Sequence, residues 1–157
     1  MSLSLGSFTP TVTCLTNSRH DGREFYTDGK ILLWRKRLVR WEGKLDQWRR
    51  RRFQEPFAPR ASCRQVIADA EKDAVHVGQV EEIVEKKGDY ERDRIYYRGK
   101  DENKVPPRPF NVHLMRLIYH VTRFDEIRLP QLKTHPAICY RDGKKVALIM
   151  PIYEPKQ

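Results

Sequence analysis

The stretch FNVHLMRLIYHVTRFDEIRLPQLKTHPAICYRDGKKVALIMPI, Phe110 to Ile152, decides the fold class of this chain. Asn111 is a good helix N-cap, because its side-chain oxygen can accept from the free backbone N–H groups of the first turn. Leu114, Leu117, Ile118 and Val121 follow at helical spacing, so a helix with one apolar face is expected to about residue 122. Phe124 to Leu129 alternates apolar and polar residues and reads as a strand. Ala137–Arg141 and Lys144–Met150 flank Asp142-Gly143, a pair that suits the two-residue turn of a β-hairpin, and Pro151 ends the pairing. A helix followed by three strands joined by short links predicts an α+β domain built on an antiparallel sheet.

Working upstream, Gly99 to Pro109 is charged and then Val-Pro-Pro-Arg-Pro, which predicts a stiff connecting loop or an exposed polyproline ligand. Arg94–Arg98 and Val75–Val84 read as strands separated by a turn at Gly88-Asp89. Ser62 with Gln65 three residues on has the form of a capping box, and Val66, Ala70 and Ala74 share one face, so Cys63–Ala74 is expected to be a helix. Nearer the N-terminus, Arg23–Tyr26 and Lys30–Trp34 flank Thr27-Asp28-Gly29 and predict another hairpin. Asp21-Gly22 is a further turn, and Thr11–Leu15 is a strand-like patch.

Between them lies the ambiguous segment. Trp34, Leu38, Trp41, Leu45 and Trp48 recur every three or four residues and would share one side of a helix, a seam for core packing or for a partner. Gly43 weakens such a helix by about 1 kcal/mol relative to alanine. The expectation is therefore helix over at least residues 44–53, with Leu38–Trp41 open to a strand reading. The whole is expected to be a single domain over 1–157, with two or three helices, 1–10 flexible and 99–109 connecting.

The chain carries a formal charge of +10, unevenly spread. Arg35, Lys36, Arg37, Arg40, Lys44, Arg49, Arg50, Arg51 and Arg52 face only Glu42 and Asp46 within one short stretch. Four consecutive arginines cannot all point one way on a helix, and such crowded positive charge attracts polyanions, nucleic acid first. Trp34, Trp41 and Trp48 add stacking surface of the kind single-strand binders use. On the helix after Asn111, Arg116 and His120 share a face, with His113 and Arg123 nearby, a weaker basic patch suited to phosphate contact.

Parts of the sequence also resemble the bacterial β sliding clamp, the processivity factor of DNA polymerase. Phe110–Val121, Phe124–Leu129, Pro136–Tyr140 and Val146–Pro151 are similar to the helix, short strand, proline-led strand and closing Met-Pro strand of that family's last half-domain. FYTDGKILL, Phe25 to Leu33, resembles the clamp's Ala-Thr-Asp-Gly strand turn, with Tyr26 in place of the alanine. The resemblance implies a clamp-like fold, sequence-tolerant contact with DNA, replication proteins as partners and self-association as a homo-oligomer.

Chemistry is less evident. Glu85-Lys86-Lys87 has the Glu-x-Lys spacing of one nuclease superfamily, and Asp69 or Asp73 could supply a second carboxylate for a metal. His113 and His120 are about 10 Å apart along one helix, too far to share a metal unaided. Cys14, Cys63 and Cys139 lack metal or disulfide spacing and are expected to be reduced thiols. No phosphate-binding glycine loop or nucleophile motif occurs, so no cofactor is expected. No apolar run is long enough to span a membrane and Met1–Thr13 lacks the form of a secretory signal, so a cytoplasmic location is expected. The reading is a non-enzymatic, DNA-associated accessory domain binding through Arg35, Arg37, Arg40, Arg49, Arg50, Arg51 and Arg52, with Arg116 and Arg123. The alternatives are a metal-dependent nuclease using Glu85 and Lys87, and an interaction module presenting the Trp/Leu seam or Pro106-Pro107-Arg108-Pro109.

Overall fold

Aspartate–glycine turns set the strand register near both ends of the chain. Asp21 and Gly22 have φ of 50° and 74°, and Asp142 and Gly143 have 51° and 77°. Two successive left-handed residues match the twist of the strands they join, which is why Asp-Gly is favoured there. In the computed structural model, which describes residues 16–39, 61–85, 93–100 and 105–152, the first turn links β1 (Thr16–His20) to β2 (Arg23–Thr27). The second links β8 (Ala137–Arg141) to β9 (Lys144–Ile149).

The turn between β2 and β3 (Ile31–Trp34) is held by side chains. Asp28 Oδ1 accepts from the backbone N–H groups of Lys30 and Ile31 at 2.8 and 3.0 Å. The buried Thr27 hydroxyl donates to the Ile31 carbonyl at 2.7 Å and accepts from the Gly29 N–H at 3.0 Å. A polar side chain can be buried here because its hydrogen bonds are satisfied locally.

The remaining elements are helix α1 (Ala61–Asp73), β4 (His76–Val84), β5 (Arg94–Gly99), β6 (Arg108–Asn111), helix α2 (Val112–Thr122) and β7 (Glu126–Leu129). The described strands form one antiparallel sheet in the order β1-β2-β3-β9-β8-β7-β4-β5-β6. Beyond β9, the Ile152 N–H donates to the Pro109 carbonyl in β6 at 2.9 Å, so the far edge of the sheet curls back to the chain leaving its middle.

Alternate residues of the central strands enter two separate cores. Ile31, Leu33, Ala137, Cys139 and Ile149 pack with α2 through Met115, Ile118 and Val121. Leu32, Trp34, Ile138, Tyr140 and Leu148 pack on the other face with α1 through Ile67 and Ala70. The two helices therefore cover opposite faces of the sheet. α2 lies inside the curl, with Ile95, Tyr97 and Phe110 from β5 and β6 and Ile127 and Leu129 from β7 completing its surroundings.

An antiparallel α+β architecture is thus observed, with two α-helices among the described residues. Several expectations change. Trp34 ends a strand and is buried against α1, a short 3-10 turn follows at Arg35–Arg37, and Leu38 packs into the opposite core. Trp34 and Leu38 therefore do not begin a shared helical seam; their three-to-four spacing arises from a strand running into a turn. Trp41, Leu45, Trp48 and the helix expected over 44–53 lie outside the described residues, as do Thr11–Leu15, residues 1–10 and Gly88-Asp89.

The loop expected to Pro109 ends earlier: Arg108 and Pro109 belong to β6 and are buried, so only Pro106 and Pro107 of that motif are exposed. Helix α1 begins at Ala61, and Gln65 Nε2 donates to Asp69 Oδ1 at 2.7 Å, toward the next turn and away from Ser62.

Candidate nucleic-acid interface

Helix α2 is embedded over most of its circumference. Val112, Met115, Leu117, Ile118, Val121 and Thr122 are buried, and Leu114 and Tyr119 are partly buried against the same core. At about 100° per residue, positions 113, 116 and 120 fall within a window of roughly 60°, and Arg123, the left-handed C-cap, follows the last turn. The occupants of that window are His113, which is exposed, and Arg116 and His120, which are half-buried. This side of α2 thus carries only histidine and arginine, over about 10 Å along the axis, with the exposed Arg123 just beyond it.

Local chemistry fixes both ends of the stripe. At the start, the Asn111 side chain accepts from the backbone N–H groups of His113 and Leu114 at 2.9 and 3.2 Å, the N-cap expected from the sequence. His113 Nε2 lies 2.9 Å from Asp93 Oδ2, so this end is partly neutralised. At the other end Arg123 takes the left-handed conformation (φ 53°), donates its N–H to the Tyr119 carbonyl at 2.9 Å, and lays its guanidinium 5.2 Å from the centre of the Tyr119 ring. Arg116 is half-buried, and its Nε is enclosed without a hydrogen-bond partner among the described residues.

The C-terminal turn of α2 draws in two further segments. A helix leaves its last carbonyls unsatisfied and carries partial negative charge there. Arg141 Nη1 donates to the Thr122 carbonyl at 2.7 Å, and the Val39 N–H donates to the Val121 carbonyl at 2.8 Å. The second bond places the chain just after Arg35-Lys36-Arg37 beside the end of the stripe. The two basic patches read separately in the sequence therefore approach each other at one helix terminus.

Of the other expected contacts, Arg35 is committed to Glu24, Nη1 to Oε2 at 2.6 Å, with Arg19 on the second oxygen at 3.5 Å. The hydrogen bond from Arg35, against the effect of burial, holds the Glu24 carboxyl below its ordinary range. Lys36 is exposed and Arg37 half-buried. Arg40, Arg49, Arg50, Arg51 and Arg52 lie outside the described residues. Arg141 escaped the sequence reading because nothing in the hairpin signals that its side chain reaches a helix end.

The nuclease constellation is not assembled. Asp69 and Asp73 sit before β4, where the His135 ring bridges them: Nδ1 is 2.9 Å from Asp73 and Nε2 is 3.8 Å from Asp69. Glu85 is exposed just past the other end of β4, whose nine residues span roughly 30 Å. A single metal ion cannot be shared across that length. Lys87 is outside the described residues. No group of three or more histidine, cysteine or acidic side chains that could hold a metal ion occurs among the described residues.

Cys139 is fully buried and Cys63 half-buried, both as free thiols, while Cys14 lies outside the described residues. No helix among the described residues is long and apolar enough to cross a membrane. Comparison with protein-family models, with curated proteins and with solved structures found no match.

Proposed function

We propose that this domain is a non-enzymatic nucleic-acid-associated module that holds the phosphate backbone along the α2 stripe. The observation that carries the reading is that His113, Arg116 and His120 share one side of α2, with the exposed Arg123 capping its end. An embedded helix cannot enter a major groove, because only the tips of its outward side chains reach the partner. Contact of that kind reads charge and spacing, without base identity. At about 3.4 Å per phosphate along a strand, a stripe of about 10 Å faces roughly three phosphates.

Two features extend the proposed surface. The Arg35–Arg37 turn delivers Lys36 and Arg37, and the chain beyond Val39 continues into Arg40 and the Arg49–Arg52 run. The sliding-clamp resemblance lends the idea of sequence-tolerant DNA contact from a helix face, with replication proteins as companions. Since α1 and α2 lie on opposite faces of the sheet, the proposal uses α2 alone and needs no ring.

The test is fluorescence anisotropy with a duplex and a single strand at low and moderate salt. The wild type is compared with Arg116→Ala/Arg123→Ala and with Arg49→Ala/Arg50→Ala/Arg51→Ala/Arg52→Ala. Binding should weaken steeply with salt, and each lost phosphate contact should reduce the log–log slope by about 0.7–0.9. Absence of binding at low salt would overturn the proposal.

A further inference from the structure

The four basic residues on the outer side of α2 are not equivalent. His113 is exposed but lies 2.9 Å from Asp93. Arg116 and His120 are half-buried, and Arg116 Nε is enclosed. Arg123 is exposed and has no carboxylate partner among the described residues.

The backbone of Arg123 is held where an arginine is disfavoured. Its φ of 53° and ψ of 40° are left-handed, a region that a Cβ crowds and glycine enters freely. The other described non-glycine residues with positive φ are Asp21 and Asp142, which lead Asp-Gly turns that their short polar side chains tolerate. Arg123 instead closes a helix, where glycine is the favoured residue. Glycine could donate the same N–H to the Tyr119 carbonyl with less strain. What it would lack is a side chain, and this one is exposed and fills no core.

The side chain is nevertheless directed. The guanidinium lies 5.2 Å from the centre of the Tyr119 ring, and that ring is set edge-on to Phe124, with centroids 5.6 Å apart and planes at 90°. Stacking orients the guanidinium without using its N–H groups, so its planar fork of donors is left for a ligand. The negative helix end beside it is covered by Arg141 on the Thr122 carbonyl and by the Val39 N–H on the Val121 carbonyl. Asp125 is turned to the closing hairpin, where its Oδ2 accepts from the Asp142 N–H at 3.1 Å. Lys36, exposed, lies three residues before Val39, within about 10 Å along the chain.

We infer that Arg123 is the principal phosphate contact of the α2 surface, gripping one nucleic-acid backbone phosphate by its guanidinium edge, with Lys36 supplying the next charge. The inference rests on the reading of α2 as a nucleic-acid surface and assigns the contact to the exposed arginine at the helix end. Left-handed non-glycine residues recur at ligand clamps, because strain there sets the direction of a side chain the ligand needs.

The test measures the salt dependence of binding to a fluorescein-labelled DNA duplex, together with thermal unfolding, on the full chain. Arg123→Gly should melt at or above the wild-type temperature, while the log–log salt slope falls by about 0.7–0.9, the share of one phosphate. Arg123→Lys keeps the charge and should retain the slope. Arg116→Ala should lower the slope by less than Arg123→Gly does. An unchanged slope and affinity in Arg123→Gly, or a loss that lysine does not restore, would overturn the inference. So would a lower melting temperature in Arg123→Gly, which would make the side chain a part of the fold. A larger loss in Arg116→Ala than in Arg123→Gly would overturn it while leaving the α2 reading intact, whereas a wild type that fails to bind at low salt would remove that reading itself.

Discussion

The Val39 N–H donates to the Val121 carbonyl at 2.8 Å, and this bond seats the entrance of the arginine-rich segment on the last turn of α2. Arg141 satisfies the neighbouring Thr122 carbonyl from the opposite side of the sequence. One helix terminus is therefore completed by a backbone donor from an early strand's exit and a cation from the closing hairpin.

Removing the Arg141 cap has a measurable cost. Arg141→Ala should destabilise the fold by about 1 kcal/mol, through loss of a charged donor at the negative end of a helix. In a domain of this size that lowers the melting temperature by about 2–4 °C. Arg141→Lys should recover part of the loss in thermal unfolding followed by circular dichroism.

Gly78 is closely packed against its neighbouring strand. A Cβ there would lie 3.0 Å from Leu129 Cδ1 and Cγ and 3.2 Å from Ile127 Cγ2, so the β7 side chains would have to give by a few tenths of an ångström to admit a methyl group. Gly78→Ala should cost about 1–3 kcal/mol, the usual effect of overpacking a filled core. Urea denaturation would read it, with Val75→Thr at an exposed position as a near-neutral control.

Acid should loosen the contact between α1 and the segment before β8. Burial pushes the Asp73 carboxyl up, but the backbone N–H groups of Leu132 and Gln131 and the His135 ring outweigh it, leaving the group below its ordinary range. A carboxyl depressed in the folded state stabilises fully above its unfolded pKa and ceases to do so as pH falls through the folded value. The wild type should thus lose stability below about pH 4. Asp73→Asn should be less stable at neutral pH and show a shallower acid slope, with Asp69 and Arg108 left as the charged groups beside His135 and Gln131. Parallel slopes in the two proteins would contradict this.

The thiols should separate by reactivity. Cys139 is completely enclosed in the α2 core, and burial drives its pKa far above the ordinary thiol range. In a Cys14→Ser background, iodoacetamide should modify the half-buried Cys63 first and reach Cys139 only on unfolding. Mass spectrometry of timed samples would show one adduct in the native protein and two in denaturant.

How much of this was legible depended on where the periodicity was strong. From Asn111 to Ile149 the cap, the apolar stripe and the Asp-Gly turn agree with one another, and the observed elements follow the reading closely. Strand β1 was missed because Thr16–His20 is a polar edge strand with no apolar alternation to reveal it. Pro109 hid β6, since proline contributes no N–H to a ladder and reads as a breaker, although an outer strand tolerates it. The His-Arg stripe on α2 could be drawn from helical spacing alone. Its meeting with the Arg35–Arg37 turn could not, because that depends on a bond between residues far apart in sequence. The alternation of Arg94, Tyr96 and Arg98 with Ile95 and Tyr97 was visible as a strand.

Strand β9 has neighbours from two separate parts of the chain: Ile31–Leu33 on one side and Ala137–Arg141 on the other. The β1–β2–β3 meander can form as soon as it is made, yet its inner edge has to wait for residues that emerge from the ribosome much later. Until then β3 offers an open, apolar edge that a chaperone or a neighbouring chain can occupy. Completion of the sheet is therefore a late event in synthesis, and any truncation before Lys144 removes the strand that hydrogen-bonds the two parts of the sheet to each other.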